Sequence, residues 1–342
     1  MRYIFELNHP KHYYQFKYVM LALVAKGHEV KVLARDKDVL LQVLQTECVE
    51  YEVFGLHRKS MAAKIFATPQ LVLSYWRIAR RWRPDVIVSK ASFYGCLVAK
   101  LVGARSVIFP DSEVVKVTNN YVVPLATKVV TPATFGLDYG SKHVRIKGVF
   151  EDCYLSPAVF TPDPQTGASL SDNGSKPYAV LRFVGWYANH DVKNSGFTLD
   201  EKKQLISAIA PHMRVYISSE KPLPADLEQY RLPSPANKIH SVLAYADLYL
   251  GDSQTMATEA ALLGAPAIRS NSFVGPDDMT NFKVLEEKYG LLRNIRRFED
   301  VLPVVSDFAE HSRKAEWMRK KDEYYAAVGD ANGQITELLE QI

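Results

Sequence analysis

Short apolar runs alternate along this chain with longer segments whose apolar positions recur at helical spacing. YIFELN (Tyr3–Asn8) reads as a strand, and a helical pattern follows from about Tyr14 to Ala25, with Gly27 as its stop. HEVKVLAR (His28–Arg35) alternates like a strand, and DKDVLLQVLQ caps and begins a further helix. RPDVIVSK (Arg83–Lys90) is a strand introduced by Pro84, and YGCLVAKLVG is a short helix ending at Gly103. ARSVIFPDSE (Ala104–Glu113) is a strand running into a polar loop, and TKVVTP (Thr127–Pro132) is one more. This alternation predicts a parallel sheet with helices on both faces. Between about Asp152 and Lys176 the chain turns rich in Pro, Ser, Gly and Asp, which predicts an interdomain linker over 161–177. The pattern then restarts with YAVLRFV (Tyr178–Val184), LDEKKQLISAIA (Leu199–Ala210), RVYISSE (Arg214–Glu220) and ADLYL (Ala246–Leu250). The expected architecture is α/β: two Rossmann-like doubly wound domains, 1–160 and 178–325, facing a cleft. A charged helix over 326–342 is expected to cross back to the first domain.

One stretch carries the strongest local signal. In GDSQTMATEAALLGAPAIR, Gly251 breaks the strand, Asp252 or Ser253 can cap a helix, Gly264 can end it and Pro266 blocks its continuation. Backbone N–H groups and hydroxyls at such a helix N-terminus suit an anion, phosphate first of all. Any strand-helix-strand crossover needs a cap and a stop, so the unit can also be a mere connector. The spacing of Thr255 and Glu259 favours a ligand. At i, i+4 they share one face, so a carboxylate one turn below a phosphate-side hydroxyl is placed for ribose.

Composition narrows the class. A chain of 342 residues with 47% hydrophobic and 23% charged residues is a soluble globular protein of two domains. No apolar run is long enough to span a membrane and the N-terminus lacks a secretory design, so a cytoplasmic location is expected, at or near the inner membrane face. Cys48, Cys96 and Cys153 have no metal-ligand spacing and read as reduced thiols. A net charge of +4 does not argue for nucleic acid. From His57 to Arg83, however, seven Lys/Arg and no acid interleave with Phe66, Leu71, Leu73, Tyr75, Trp76, Ile78 and Trp82. Such a stretch can lie on an anionic membrane or be the solvated face of an ordinary helix.

In a parallel sheet, the loops after the strands carry the chemistry. Asn8, His9 and His12 follow the first strand, and Asp111, Ser112 and Glu113 follow Ala104–Phe109. His9 is a general base or a helix cap; Asp111 and Glu113 are a base for an acceptor hydroxyl or caps of the next segment. Arg182 either pairs with an acid of its own domain or completes a diphosphate clamp opposite Ser253. His190 is a loop residue or a phosphate contact, and SSEK (Ser218–Lys221) follows the next strand. Asp36-Lys37-Asp38 offers two carboxylates but reads as a helix cap, and GPDD (Gly275–Asp278) reads as a turn. There is no dinucleotide fingerprint, P-loop or serine triad.

NHPKHYYQFKYVMLALVAKGHEVKVLARDKDV, HRKS, RFVGWYANHD, ISSEKPLP and GDSQTMATEAALLGAPAIRSNSFVG together resemble domain-of-unknown-function family 354. That family comprises predicted glycosyltransferases related to the GT-B fold and to non-hydrolysing UDP-N-acetylglucosamine 2-epimerases. The resemblance implies that the second domain holds a sugar nucleotide, with Gly251, Ser253, Gln254 and Thr255 on the diphosphate and Glu259 on the ribose. It puts the segment around His240 beside the base and Ser218, Ser219 and Glu220 along the nucleotide. Acceptor chemistry falls to His9, Asp111 or Glu113 of the first domain. GDSQT replaces the DSGG form of the epimerases, so their residues do not transfer wholesale.

The expected function is a metal-independent glycosyltransferase without cofactor, moving sugar from a nucleoside-diphosphate donor, UDP foremost, to a glycan or lipid-linked acceptor. The rivals are a nucleotide-sugar 2-epimerase and a non-catalytic nucleotide-sugar binding protein.

Overall fold

A computed structural model describes residues 1–36, 39–56, 61–183, 197–219 and 222–342. The chain divides into two compact units, one of Met1–Tyr154 with Asp330–Ile342, the other of Leu155–Gly329. The first unit runs β1 (Arg2–Leu7), α1 (Pro10–Ala25), β2 (Glu29–Asp36), α2 (Leu40–Thr46), β3 (Tyr51–Leu56), α3 (Met61–Trp82), β4 (Val86–Ser89), α4 (Phe93–Val102), β5 (Arg105–Ile108), β6 (Lys128–Pro132) and β7 (His143–Ile146). The division falls within the short α5 (Asp152–Leu155). The second unit runs α6 (Pro164–Leu170), β8 (Tyr178–Arg182), α7 (Leu199–Ile209), β9 (Arg214–Ser218), α8 (Ile239–Tyr245), β10 (Leu248–Gly251), α9 (Gln254–Leu262), β11 (Ala267–Arg269), α10 (Thr280–Glu287), β12 (Leu292–Asn294), α11 (Phe298–Glu310) and α12 (Lys314–Val328). The last helix, α13 (Ala331–Gln341), belongs to the first unit.

The first sheet has the order β3-β2-β1-β4-β5-β6-β7 and is parallel throughout. Alternation along β1 explains its two coats. Tyr3, Phe5 and Leu7 face a core built with Phe16, Val19 and Leu23 of α1 and Ile335 and Leu339 of α13. Ile4 faces the opposite core, with Leu71, Tyr75, Ile78 and Ala79 of α3 and Val98 of α4. Strands covered on both faces read as continuous apolar runs, as Val86, Ile87 and Val88 of β4 do. The chain runs outward from β1 through β2 to β3, then restarts at β4 beside β1 and runs the other way. The reversal between β1 and β4 is where such a sheet opens to a ligand.

The second sheet has the order β12-β11-β10-β8-β9, also parallel. Its reversal lies between β8 and β10. Both reversals therefore put loops singled out in the sequence at the mouth of a sheet.

Several elements differ from the sequence expectation. Helix α1 begins at Pro10 rather than Tyr14, because proline at the first helical position needs no N–H partner and His9 caps it. Asp36 does not cap α2 but ends β2, and Val39 occupies the cap; Lys37 and Asp38, on which the rest of that expectation falls, lie outside the described residues. The stretch 161–177, expected as a linker, holds α6, whose Asp163 cap is tied to Ser241 and Lys238 within the second unit. Of the basic stretch, 57–60 lies outside the described residues. From Leu71 onward the helix turns Leu71, Tyr75, Ile78 and Ala79 into the core, so these apolar positions face the sheet and not a membrane. No helix among the described residues is long and apolar enough to cross a membrane.

Candidate functional site

The stretch from Gly251 forms the loop that its composition suggested. Ser253 is the N-cap of α9, its Oγ accepting from the Met256 N–H at 3.4 Å. The Ala257 N–H goes to the Ser253 carbonyl at 3.2 Å, which leaves the Gln254 and Thr255 N–H groups outside the helical ladder. Asn271 Nδ2 holds the Asp252 carbonyl at 3.0 Å and the Ser270 N–H holds that of Gly251 at 2.9 Å. Glycine is required at 251 by close approach: a Cβ there would lie 2.6 Å from the Arg182 carbonyl oxygen and 2.5 Å from Tyr249 Oη. The backbone of the loop thus lies directly against the end of β8.

Register brings the other residues in. Gly251 pairs with Arg182 on one side, and Arg182 pairs with Ser218 on the next strand. Arg182 Nη1 donates to the Ser218 carbonyl at 3.3 Å and reaches its Oγ at 3.5 Å. Ser219 follows, half-buried. One turn into α9, the carboxylate of Glu259 is largely buried and lies 3.4 Å from His240 Nε2 of α8, whose ring packs edge-on against Phe160. The structure therefore groups Arg182, Ser218, Gly251 and Ser253 at the carboxyl ends of β8, β9 and β10, and joins His240 to Glu259. His190 and Glu220 lie outside the described residues.

Beneath this loop sits a pair that the sequence reading missed. Arg269, in register with Gly251, has no exposed surface; its guanidinium binds Asp278, donates to Asn294 Oδ1 at 2.8 Å and stacks 3.7 Å over Phe282. Burial lowers its pKa although Asp278 opposes the shift. GPDD is thus more than a turn, because Asp278 is the counter-ion of a fully buried cation.

In the first unit the three candidate bases separate. His9 is exposed, and its Nδ1 accepts the Lys11 N–H at 3.1 Å, the work of a helix cap. The Glu113 carboxylate accepts the Gly136 N–H at 2.6 Å and so ties down a loop. Asp111 alone joins a cluster at the β1/β4 reversal. Its half-exposed carboxylate lies 3.3 Å from Lys90 Nζ, which also donates to the buried Gln15 at 2.9 Å and sits 4.1 Å over the Phe150 ring. Burial disfavours ionised Asp111, but the ammonium groups of Lys90 and Lys11 outweigh it and hold the carboxyl below its usual range. Burial also lowers Lys90, with Asp111 opposing. Lys11 is itself held by Glu151 at 2.8 Å. His12 completes the cluster, its Nδ1 accepting the Asn8 N–H at 3.2 Å.

Lys90 and His12 had a legible signal. Lys90 directly follows the fully buried strand Val86–Ser89, Asp111 comes shortly after Arg105–Ile108, and His12 stands four residues beyond Asn8 on the first turn of a helix. A separate open cavity of about 430 Å³, lined by Val30, Lys31, Val32, Glu50, Tyr51, Glu52 and Trp82, lies at the amino ends of β2 and β3, away from these residues. No group of three or more His, Cys, Asp or Glu among the described residues could hold a metal ion.

Comparison with known proteins agrees with this fold. Across 98% of this chain and 99% of its own, the spinosyn rhamnosyltransferase SpnG complexed with thymidine diphosphate superposes with a TM-score of 0.65 at 13% identity. The glycosyltransferase VinC in complex with DTDP matches over 99% of both chains, with a TM-score of 0.65 and 14% identity. The UDP-GlcNAc 2-epimerase from Neisseria meningitidis bound to UDP-GlcNAc matches over 100% of both chains, with a TM-score of 0.70 and 12% identity. At such identities the likeness shows the fold, which is α/β and GT-B-like. No curated protein matches the sequence. The family model described as "Protein of unknown function (DUF354)" matches residues 3–147; RFVGWYANHD, ISSEKPLP and GDSQTMATE lie beyond the match. The match covers less than half of the chain, and the matching family is the one that the sequence motifs resemble.

Proposed function

We propose that the protein is a glycosyltransferase whose second unit binds a nucleoside-diphosphate sugar and whose first unit binds the acceptor. One observation carries the reading: at the reversal of the second sheet, Arg182, Ser218 and the Gly251–Ser253 loop meet at the N-terminus of α9, with Glu259 one turn deeper. The diphosphate takes the Gln254 and Thr255 N–H groups and the helix dipole, with Arg182 as its cation; the ribose takes Glu259. In the reaction the acceptor oxygen attacks the anomeric carbon as the carbon–oxygen bond to the diphosphate breaks. The bonding pair leaves with the diphosphate, and the acceptor proton passes to Asp111. Donors already aimed at the diphosphate bind it more strongly as its charge grows, which is how they lower the barrier. Two units with separate ligand sites at two sheet reversals suit a two-substrate transfer.

Product analysis tests the reading. Incubation with UDP-, dTDP- and GDP-sugars is expected to release nucleoside diphosphate when a glycan or lipid-linked hydroxyl acceptor is present, and to do so only slowly without one. Epimerised sugar nucleotide formed in the absence of acceptor would overturn transfer in favour of epimerisation. A protein that binds a nucleotide sugar tightly and turns over no pair would be a binding protein.

A further inference from the structure

The histidine singled out in the sequence, His9, spends its ring on capping a helix. The other one, His12, is bound in a way that fixes its chemistry. The Asn8 backbone N–H can only donate, so the ring nitrogen it meets, Nδ1, must accept. In the neutral ring the proton then sits on Nε2. Nε2 has no hydrogen-bond partner among the described residues, in a ring that is only partly buried.

The donor that fixes the tautomer is itself held. Asn8 Nδ2 donates to Glu6 Oε1 at 2.9 Å, and Glu6 has no exposed surface. Its carboxyl is wedged between α3 and α4, beside Ser92 and Tyr75, so closely that a Cβ at Gly95 would lie 2.6 Å from Oε2. A rigid line therefore runs from the interior through Glu6 and Asn8 to the ring.

The charged surroundings of His12 come from every element packed near it. Lys90 at the end of β4, His9 and Lys11 on its own helix and Asp111 beyond β5 all act on the ring. Burial, then Lys90, then His9 push it down to about 3, with Asp111 opposing. The ring is neutral throughout the physiological range, which makes it a poor proton acceptor and a steady hydrogen-bond donor.

From this geometry we infer that His12 presents its Nε2–H to an oxygen of the acceptor substrate beside Asp111, with Asn8 and Glu6 as the residues that position it. The inference rests on the reading of the first unit as the acceptor site. His12 takes no proton in the reaction: it orients the acceptor by donating one hydrogen bond from Nε2, while Asp111 receives the hydroxyl proton.

Two variants separate this role from a structural one. His12→Asn keeps an oxygen for the Asn8 N–H and loses the donor at the Nε2 position; His12→Gln keeps the donor and loses the acceptor. With UDP release from UDP-N-acetylglucosamine as the readout and a soluble glycoside as acceptor, His12→Asn should lose about 100-fold in kcat, as for a donor aimed at a reacting oxygen. His12→Gln should stay within about tenfold, and both should bind UDP like the wild type. Nitrogen NMR of the full-length protein with labelled histidine should show a bare Nδ1 and a protonated Nε2 that do not titrate between about pH 8 and pH 5. Wild-type turnover in His12→Asn, or a ring titrating with a midpoint near 6.5, would overturn the inference. Absence of UDP release by the wild type would count against the transferase reading instead, while the nitrogen spectrum still decides the state of His12.

Discussion

Asp111→Asn is expected to abolish most of the transfer activity while leaving nucleotide binding intact. A side chain that removes a proton in the transition state contributes about 10²–10⁴-fold, or roughly 3–5.5 kcal/mol of barrier. Asn keeps the shape and an oxygen for Lys90 Nζ, now 3.3 Å from the carboxylate, but cannot accept the acceptor proton. The carboxylate is half exposed, but the Lys90 side chain is only 8% exposed and loses its counter-charge, so urea unfolding of the variant accompanies the rate measurement to separate lost catalysis from lost stability. The pH dependence follows from the direction of the shift. A carboxyl held below its usual range is already ionised at any pH above that range, so the base is available from neutral pH downward. The rate limb due to Asp111 should therefore lie below the ordinary carboxylate range, and activity should not fall between about pH 7 and pH 5. A limb near pH 6.5 would assign the base to a histidine, and a variant as fast as wild type would remove Asp111 from the reaction.

Asp278→Ala should cause the largest loss of stability. Removing one member of a buried ion pair leaves the other charge without compensation and costs about 3–5 kcal/mol. Arg269 has no exposed surface, and after the substitution it would keep Asn294, the face of Phe282 and the more remote charge of Glu286, but no direct counter-ion. Replacing both partners, Arg269→Met with Asp278→Leu, should recover much of that loss, because the penalty arises from the stranded charge rather than the missing attraction. Urea unfolding of the two single variants and the double variant measures this. Equal losses in Asp278→Ala and the double variant would show that the site needs the pair for its shape. Since β11 lies in register with β10 at Gly251 and Arg269, Asp278→Ala should also weaken nucleotide binding.

The parts of this molecule that were legible in the sequence are those set by neighbours along the chain. The stop at Gly251, the Ser253 cap, the helix and the left-handed Gly264 after it, at φ 81°, are local choices, and each is where its residue type places it. The doubly wound architecture was legible for the same reason, since it follows from the alternation of periods. Strands β7 and β12 were not: β7 opens on intermediate and exposed positions, and β12 has a single buried residue among three, so neither carries an apolar run. Partners distant in sequence were not legible either. Lys90 meets Gln15 across 75 residues, and His240 meets Glu259 across a strand, through pairings that only the folded sheets create. His9 was legible as one of two alternatives, a base or a helix cap, and its neighbour Pro10 marked the cap that the structure shows.

The central claim is that the second unit cradles a nucleoside diphosphate at the Gly251–Ser253 loop. Calorimetric titration of the full-length protein with UDP, dTDP, GDP and ADP, with Glu259→Ala alongside, tests it most directly. A carboxylate that accepts ribose hydroxyls contributes about 1.5–3 kcal/mol, so the variant should bind the preferred nucleotide roughly 10- to 100-fold more weakly. Binding of one nucleoside diphosphate by the wild type, weakened to that degree in Glu259→Ala, is the result this account predicts. A folded wild-type protein that binds none of the four, or a Glu259→Ala variant that binds as tightly as wild type, would contradict it.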